Sequence, residues 1–239
     1  MTNTVTNSAT AEELRAQLPV GSSLAWHRIA RWISKWIYAI PFRTRLDGVD
    51  HMPASGPVVV VINHSTLVEG PVLLGRLPRN TVFLVKRELF VGPAGWFLPK
   101  MGQLAVRRGE PDRAALMEAQ RVLRAGGVIG VFPEGSRGEG DVTSAHNGAA
   151  WLAVSTNASV LPIACRGTYR APGTRRRFRP KVDVLVGEPF TLPGQRGRAA
   201  VAAATEQIRV ALATLVTELD ALRAGSRPSD QDDSSRSGE

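Results

Sequence analysis

Residues 57–63 read Pro-Val-Val-Val-Val-Ile-Asn, and this run limits the fold more than any other stretch of the chain. A series of β-branched residues suits a strand. Successive side chains on a strand point to opposite faces, so a run that is apolar at every position needs apolar cover on both sides. Helices on each face of a mainly parallel sheet supply such cover.

The middle of the chain fits that demand. Residues 80–85, 104–106, 128–132 and 159–165 read as strands, and 181–186 alternates as a further one. Residues 112–125 predict a helix capped by Asp112 and ended by Gly126 and Gly127. Residues 146–157 predict another, and 197–223 a long Ala-rich one. Strands alternating with helices predict an α/β fold with a single mixed, largely parallel sheet flanked by helices. The expected organisation is a flexible N-terminus over 1–20, an amphipathic helical element over 21–44, an α/β domain over 45–223, and a disordered polar tail over 224–239.

Residues 23–40, SLAWHRIARWISKWIYAI, place Trp26, Ile29, Ala30, Ile33, Trp36, Ile37 and Ile40 at helical spacing. His27, Arg28, Arg31 and Lys35 fall mostly elsewhere, and Trp32 and Tyr38 widen the aromatic edge. Two readings stand. A basic, tryptophan-rich helix can lie in a membrane interface, or the same stripe can pack on the protein's own core.

Thirty Lys and Arg against 21 Asp and Glu give a net charge of +9. Such a surplus favours an anionic partner: nucleic acid, anionic lipid or a phosphorylated substrate. No nucleic-acid reading motif is present and the tryptophans suit lipid, so nucleic acid is not an expected partner. Cys165 is the single cysteine, which excludes a disulfide framework and a thiolate cluster; the histidines show no metal-ligand spacing, so no metal is expected. The start, MTNTVTNSATAEEL, has no basic or apolar stretch of a secretory signal, which predicts a cytoplasmic location. Residues 142–165 lack charged side chains, but their Ser, Thr and Asn content and Pro162 favour a helix followed by a buried strand over a membrane span. Oligomeric state is left open.

Two segments carry chemistry. Residues 63–70, NHSTLVEG, follow the valine run, and residues 132–138, FPEGSRG, follow VIGV. Ligands gather at the carboxyl ends of strands in open α/β sheets. His64 is the natural general base, and Glu69 lies five positions on; with a helix beginning near Ser65 the two side chains face each other across about one turn, so that the carboxylate fixes the imidazole's tautomer. There is no G-x-S-x-G elbow, so the reaction would be a direct attack by an activated hydroxyl. In the second segment Gly135 allows close backbone approach, Arg137 can grip phosphate, and Glu134 can orient Arg137 or a ligand hydroxyl. A turn closed by an internal ion pair is the other reading. Arg107 and Arg108 are adjacent, so in extended chain only one of them faces a given side.

These segments resemble the lysophosphatidic acid acyltransferase (glycerolipid acyltransferase) family. Its motifs are N-H-x-S-x-x-D, G-x-x-x-hydrophobic-x-R, F-P-E-G-[ST]-R and a late hydrophobic-Pro pair. In this chain residues 63–69, 102–108, 132–137 and 160–163 match them in order and spacing, and residues 86–89 look like the family's K-x-E-L stretch. The resemblance covers residues 45–190.

The resemblance implies that His64 deprotonates the acceptor hydroxyl and that Glu69 orients it. Arg108, Glu134, Gly135 and Arg137 would form a pocket for the acceptor's phosphate and glycerol, with Asn63, Thr66, Lys86 and Ser136 in the substrate site. Pro162 would shape the site or an acyl tunnel. It further implies an acyl-CoA or acyl-carrier-protein co-substrate, no bound cofactor or metal, a lysophospholipid acceptor, and a peripheral (monotopic) position on an anionic membrane surface at the cytoplasmic face. The product on lysophosphatidic acid would be phosphatidic acid. Another lysophospholipid or a glycolipid acceptor, or a catalytically weak membrane-binding homologue, are the alternatives. Three residues depart from the family pattern: Glu69 stands for Asp, Thr66 for Ser, and His146 for a frequent Lys. The basic run 175–181 would touch anionic lipid or the donor's phosphates, or form a solvated loop.

Overall fold

A computed structural model describes residues 9–37, 40–107, 112–134, 140–169, 178–194 and 197–225. Two helices lead: α1 (Ala11–Ala16) and α2 (Leu24–Ile37). There follow β1 (Arg43–Asp47), β2 (Val58–Ile62), α3 (Glu69–Arg76), β3 (Thr81–Lys86), α4 (Gly92–Lys100) and β4 (Leu104–Val106). The remainder is α5 (Arg113–Arg124), β5 (Val128–Val131), α6 (Gly148–Thr156), β6 (Ser159–Arg166), β7 (Lys181–Val186) and α7 (Arg198–Gly225).

The seven strands form one sheet in the order β1-β7-β6-β2-β5-β3-β4. Every pairing is parallel except β6 with β7. The valine run is β2, at the centre, and all five of its residues are fully buried. Val58, Val60 and Ile62 pack with Ala30 of α2 and with Leu73, Leu74 and Leu77 at α3. Val59 and Val61 pack on the other side, with Ala119 and Leu123 of α5, Leu152 of α6 and Ile208 of α7. At about 2 kcal/mol for each buried β-branched side chain, this strand alone contributes on the order of 10 kcal/mol before entropy is counted.

Local signals set several ends. Asp112 Oδ1 accepts the amide of Ala115 and starts α5 as expected, and Gly126 at φ +78° stops it. Asn157 in the left-handed region ends α6. Gly130 lies in β5 because the ring of Phe83, its in-register neighbour, covers it: a Cβ there would sit 2.5 Å from two ring atoms.

Several expectations need correction. Residues 9–20 are not loose: α1 carries a full capping box between Thr10 and Glu13, and Leu18 is buried in the core, where Arg121 holds the carbonyls of Ala16 and Leu18. The expected boundary at 44/45 falls inside β1, which pairs in register with β7. RTRLD was not legible as a strand because an edge strand tolerates charge on its open side. The tail beyond Gly225, the side chain of Tyr38 and the run 175–177 lie outside the described residues.

The face of α2 also divides differently from its wheel. Leu24, His27 and Ala30 form the buried side, and Arg31 bonds Asn80 Oδ1 at 2.7 Å and the carbonyl of Leu77. Ile29, Trp32, Ile33, Trp36 and Ile37, with Ile40 beyond the helix, remain exposed at positions i, i+3, i+4, i+7, i+8 and i+11. The core-packing reading therefore holds for one face, and the other face keeps an apolar, tryptophan-bearing stripe exposed. The α4 helix extends the exposed apolar surface, with Trp26 edge-on to Trp96 and to Phe97, each at 5.6 Å between centroids. By length and composition α7 could cross a membrane, yet Ile208, Leu212, Leu215, Val216 and Leu219 make one face of it that packs on the protein.

Candidate active site

The site lies where β2 ends. Asn63, fully buried, fixes that exit: its Nδ2 donates to the carbonyls of Cys165 (3.0 Å) and Gly140 (3.2 Å), and its Oδ1 accepts the amide of Cys165 at 2.7 Å. The side-chain amide thus continues the β2–β6 ladder by one step. It is a positioning group and is occupied by the protein itself. Burial pushes the Cys165 thiol pKa up, as befits an inert core cysteine.

The next residue is His64, whose amide donates to Glu134 Oε1 at 2.8 Å. Burial raises the pKa of Glu134, and the amide bonds from His64 and Val142 work against that rise. Glu134 therefore ties the exit of β2 to the loop beyond β5. The imidazole is almost enclosed, tilted against the ring of Phe132 with 4.3 Å between centroids, and Phe132 in turn lies over Phe83 at 6.1 Å.

Glu69 is the first residue of α3 and has no solvent exposure. Its Oε2 faces His64 Nδ1 at 3.3 Å. Its carboxylate reaches back to the Thr66 amide at 3.0 Å and accepts the Thr66 hydroxyl at 3.0 Å. Thr66 Oγ1 also accepts the Val68 amide, so the hydroxyl both donates to Glu69 and holds the loop, bonds that a Ser hydroxyl could make equally well. A further donor comes from the end of β6: the Thr168 hydroxyl bonds Glu69 Oε1. Each partner is a donor, so the buried carboxylate is satisfied as an acceptor. Such an acceptor favours the tautomer with the proton on Nδ1, the one in which Nε2 of a neutral His64 carries the lone pair.

His64 and Phe132 border an apolar cavity of about 470 Å³. Its walls are Ala30, Ile33 and Ile37 of α2, Gly70, Pro71 and Leu74 of α3, Phe83 to Lys86 of β3, and Leu98 of α4. Lys86 stands at this wall and pairs with Glu88 at 3.3 Å, both half-exposed. Gln103, buried, closes another side and accepts the Phe83 amide at 3.0 Å.

Among the expected site residues, His64, Glu69, Asn63, Thr66, Glu134 and Lys86 are brought together. Arg108, Gly135, Ser136 and Arg137 lie outside the described residues. Pro162 is a correction: it is buried in β6 against Gly187 and does not border the cavity. It sits between the last β6–β7 pair, Ile163 with Val186, and the Val160–Phe190 bridge, where the ladder spares a missing N–H. His146 is exposed, and its amide bonds the Pro133 carbonyl at 2.8 Å. Sequence reasoning missed Thr168 and the part played by the Phe132 ring. Nothing local marks Thr168. Phe132, directly before Pro133 and Glu134, did have a signal in its place at the strand exit.

A family model described as Acyltransferase matches residues 43–166, more than half of the chain. The chain belongs to the acyltransferase family, that of the 1-acyl-sn-glycerol-3-phosphate acyltransferases. It is 28% identical over 183 residues to the 1-acyl-sn-glycerol-3-phosphate acyltransferase of Bacillus subtilis, covering 72% of this chain and 88% of that one. It is 32% identical over 178 residues to the lyso-ornithine lipid O-acyltransferase of Pseudomonas aeruginosa, covering 71% and 66%. The crystal structure of the 1-acyl-sn-glycerophosphate (LPA) acyltransferase from Thermotoga maritima superposes with a TM-score of 0.63 at 25% identity, covering 85% of this chain and 81% of that one. The mixed, mostly parallel sheet of this acyltransferase is thus the family's own fold.

Proposed function

We propose that this acyltransferase moves a fatty acyl group from acyl-CoA or acyl-carrier protein to the free hydroxyl of lysophosphatidic acid, giving phosphatidic acid for phospholipid synthesis. The observation that carries the reading is the His64–Glu69 pair at the border of an apolar cavity. His64 Nε2 takes the proton of the acceptor hydroxyl as its oxygen attacks the thioester carbonyl. Collapse of the tetrahedral adduct breaks the C–S bond, and the imidazolium returns the proton to the leaving thiolate. Glu69 stabilises the imidazolium between the two steps. A thioester is already activated, so this chemistry runs without a bound cofactor. The cavity accepts an acyl chain, and Lys86 at its wall answers the charge of a phosphate, a part that the family resemblance also gives to Arg108 and Arg137.

The exposed stripe of α2 and the aromatic residues of α4 support a peripheral position on a membrane, which this reading assigns to the cytoplasmic face, with anionic lipid as its surface partner. A second reading keeps the donor and changes the acceptor to a lyso-ornithine lipid, and similarity to the lyso-ornithine lipid enzyme supports it.

The test is release of free CoA from acyl-CoA by purified protein, with acylated product detected by mass across a panel of acceptors. Lysophosphatidic acid is expected to be the best acceptor and His64→Ala to abolish turnover. Silence of the wild type with every acceptor and donor would favour a membrane-binding scaffold instead.

A further inference from the structure

A second concave pocket, of about 690 Å³, lies at the start of β1 and β7 and takes no part in the chemistry above. Arg43, Arg45, Arg76, Arg179 and Lys181 line it beside Phe178, and no carboxylate is among the described residues that do. Asp47 pairs with Arg45 at 2.7 Å, and Asp183 with Lys181 at 3.4 Å, from outside the lining. Counting both acids, a positive excess remains.

The register makes this gathering costly. Arg43 and Lys181 are direct neighbours across the β1–β7 pair, where like charges repel. Arg179, next in line, holds a non-glycine backbone at φ +50°, another unfavourable arrangement. Both features sit together at one opening, and a bound anion would relieve the first.

The position names the anion. Because β7 runs against β6, which is parallel to β2, the starts of β1 and β7 share the sheet edge where β2 delivers His64. With two strands between them, the β1 start is roughly 14 Å across the sheet from that exit. The exposed stripe of α2 ends at Ile40, three positions before Arg43, and Phe178 beside the pocket is 93% exposed. Cations therefore begin where the apolar face stops, which is the order of a bilayer's acyl region and its phosphates.

We propose that this pocket binds the phosphate-bearing headgroup of an anionic lipid and sets the depth and orientation of the enzyme on the bilayer. The proposal rests on α2 as the membrane-facing helix. Vesicles of phosphatidylcholine, with and without phosphatidic acid, test it on the full chain at low salt. The wild type should gain binding when phosphatidic acid is included. Replacing Arg43, Arg76 and Lys181 by Gln should lower binding to the anionic vesicles on the order of a hundredfold. Binding to neutral vesicles should stay unchanged, which also shows the variant folded, and the corresponding Arg43→Lys and Arg76→Lys variant should keep the gain. A wild type without a gain, or a triple Gln variant that retains it, overturns the proposal. So does a triple variant whose defect is a raised KM for acyl-CoA in neutral detergent, since the pocket would then serve the donor's phosphates. Unchanged neutral-vesicle binding of a Trp32→Ser/Trp36→Ser variant counts against α2 alone, and an anionic gain lost only in the triple variant still supports the pocket.

Discussion

The hydroxyl of Thr168 donates to Oε1 of Glu69 from 99 positions away in sequence. It anchors the oxygen opposite the one that faces His64. Thr168→Ala removes a charge-assisted bond to a fully buried carboxylate, an interaction of about 1.5–3 kcal/mol. We expect kcat to fall by about tenfold or more with KM little changed. Thr168→Ser restores the donor and should restore most of the rate. An unaltered kcat in the Ala variant would remove Thr168 from the relay.

Glu69→Asp tests the same carboxylate from its other end. One methylene less cannot span from the first turn of α3 to Thr66, Thr168 and His64 together. The rate should therefore drop, by about ten- to a hundredfold if imidazole orientation is what is lost. Steady-state kinetics decide it. A variant faster than the wild type would mean that the longer arm is a handicap.

Gly130→Ala probes the support beneath the imidazole. The added methyl meets the Phe83 ring, which braces Phe132, which lies against His64. Overpacking of this kind costs about 1–3 kcal/mol, so Tm should fall by about 5 °C. Phe83→Leu in the same chain should recover part of that loss in a thermal melt.

His27 predicts the acid side of the stability curve. Burial, opposed by the bond of Nδ1 to the Met101 carbonyl, holds its pKa down to about 4 from 6.5, and Nε2 has no partner among the described residues. The unfolded chain takes up this proton at higher pH than the native one. Stability is then complete above pH ~6.5 and declines as pH falls toward 4, by on the order of 3 kcal/mol for this group. Urea midpoints across that range should show the slope, and His27→Gln should flatten it.

Leu74→Phe should shorten the preferred acyl chain, because Leu74 lines the cavity from α3. A donor series of graded length gives the readout: relative kcat/KM should shift toward shorter chains, while the shortest donors react as in the wild type.

The strand order could not be read from the chain, but its central demand could. The valine run required cover on both faces and has it. The His64–Glu69 pairing was legible from its spacing but not its route: α3 begins only at Glu69, and the non-helical bends of residues 65–68, not a helical turn, bring the carboxylate to the imidazole. Charged β1 and the Gly- and Pro-rich α4 stayed hidden because tertiary pairing, not propensity, forms them. Thr168 was illegible for another reason: its bond depends on where β6 ends in space. Pro162 was misread because a motif position names a residue without saying which side of the sheet it faces.

Ile33 and Ile37 face solvent on α2 and also wall the apolar cavity. A single layer of side chains therefore separates the cavity from whatever surrounds that helix. On the membrane position proposed above, a lipid tail would pass sideways from the leaflet into the protein, and its methylenes, each worth about 0.8 kcal/mol in water, would never be wetted. The quantity that saturates such an enzyme is the acceptor's mole fraction in the surface, and diluting the vesicles at fixed lipid composition leaves the rate per bound enzyme unchanged.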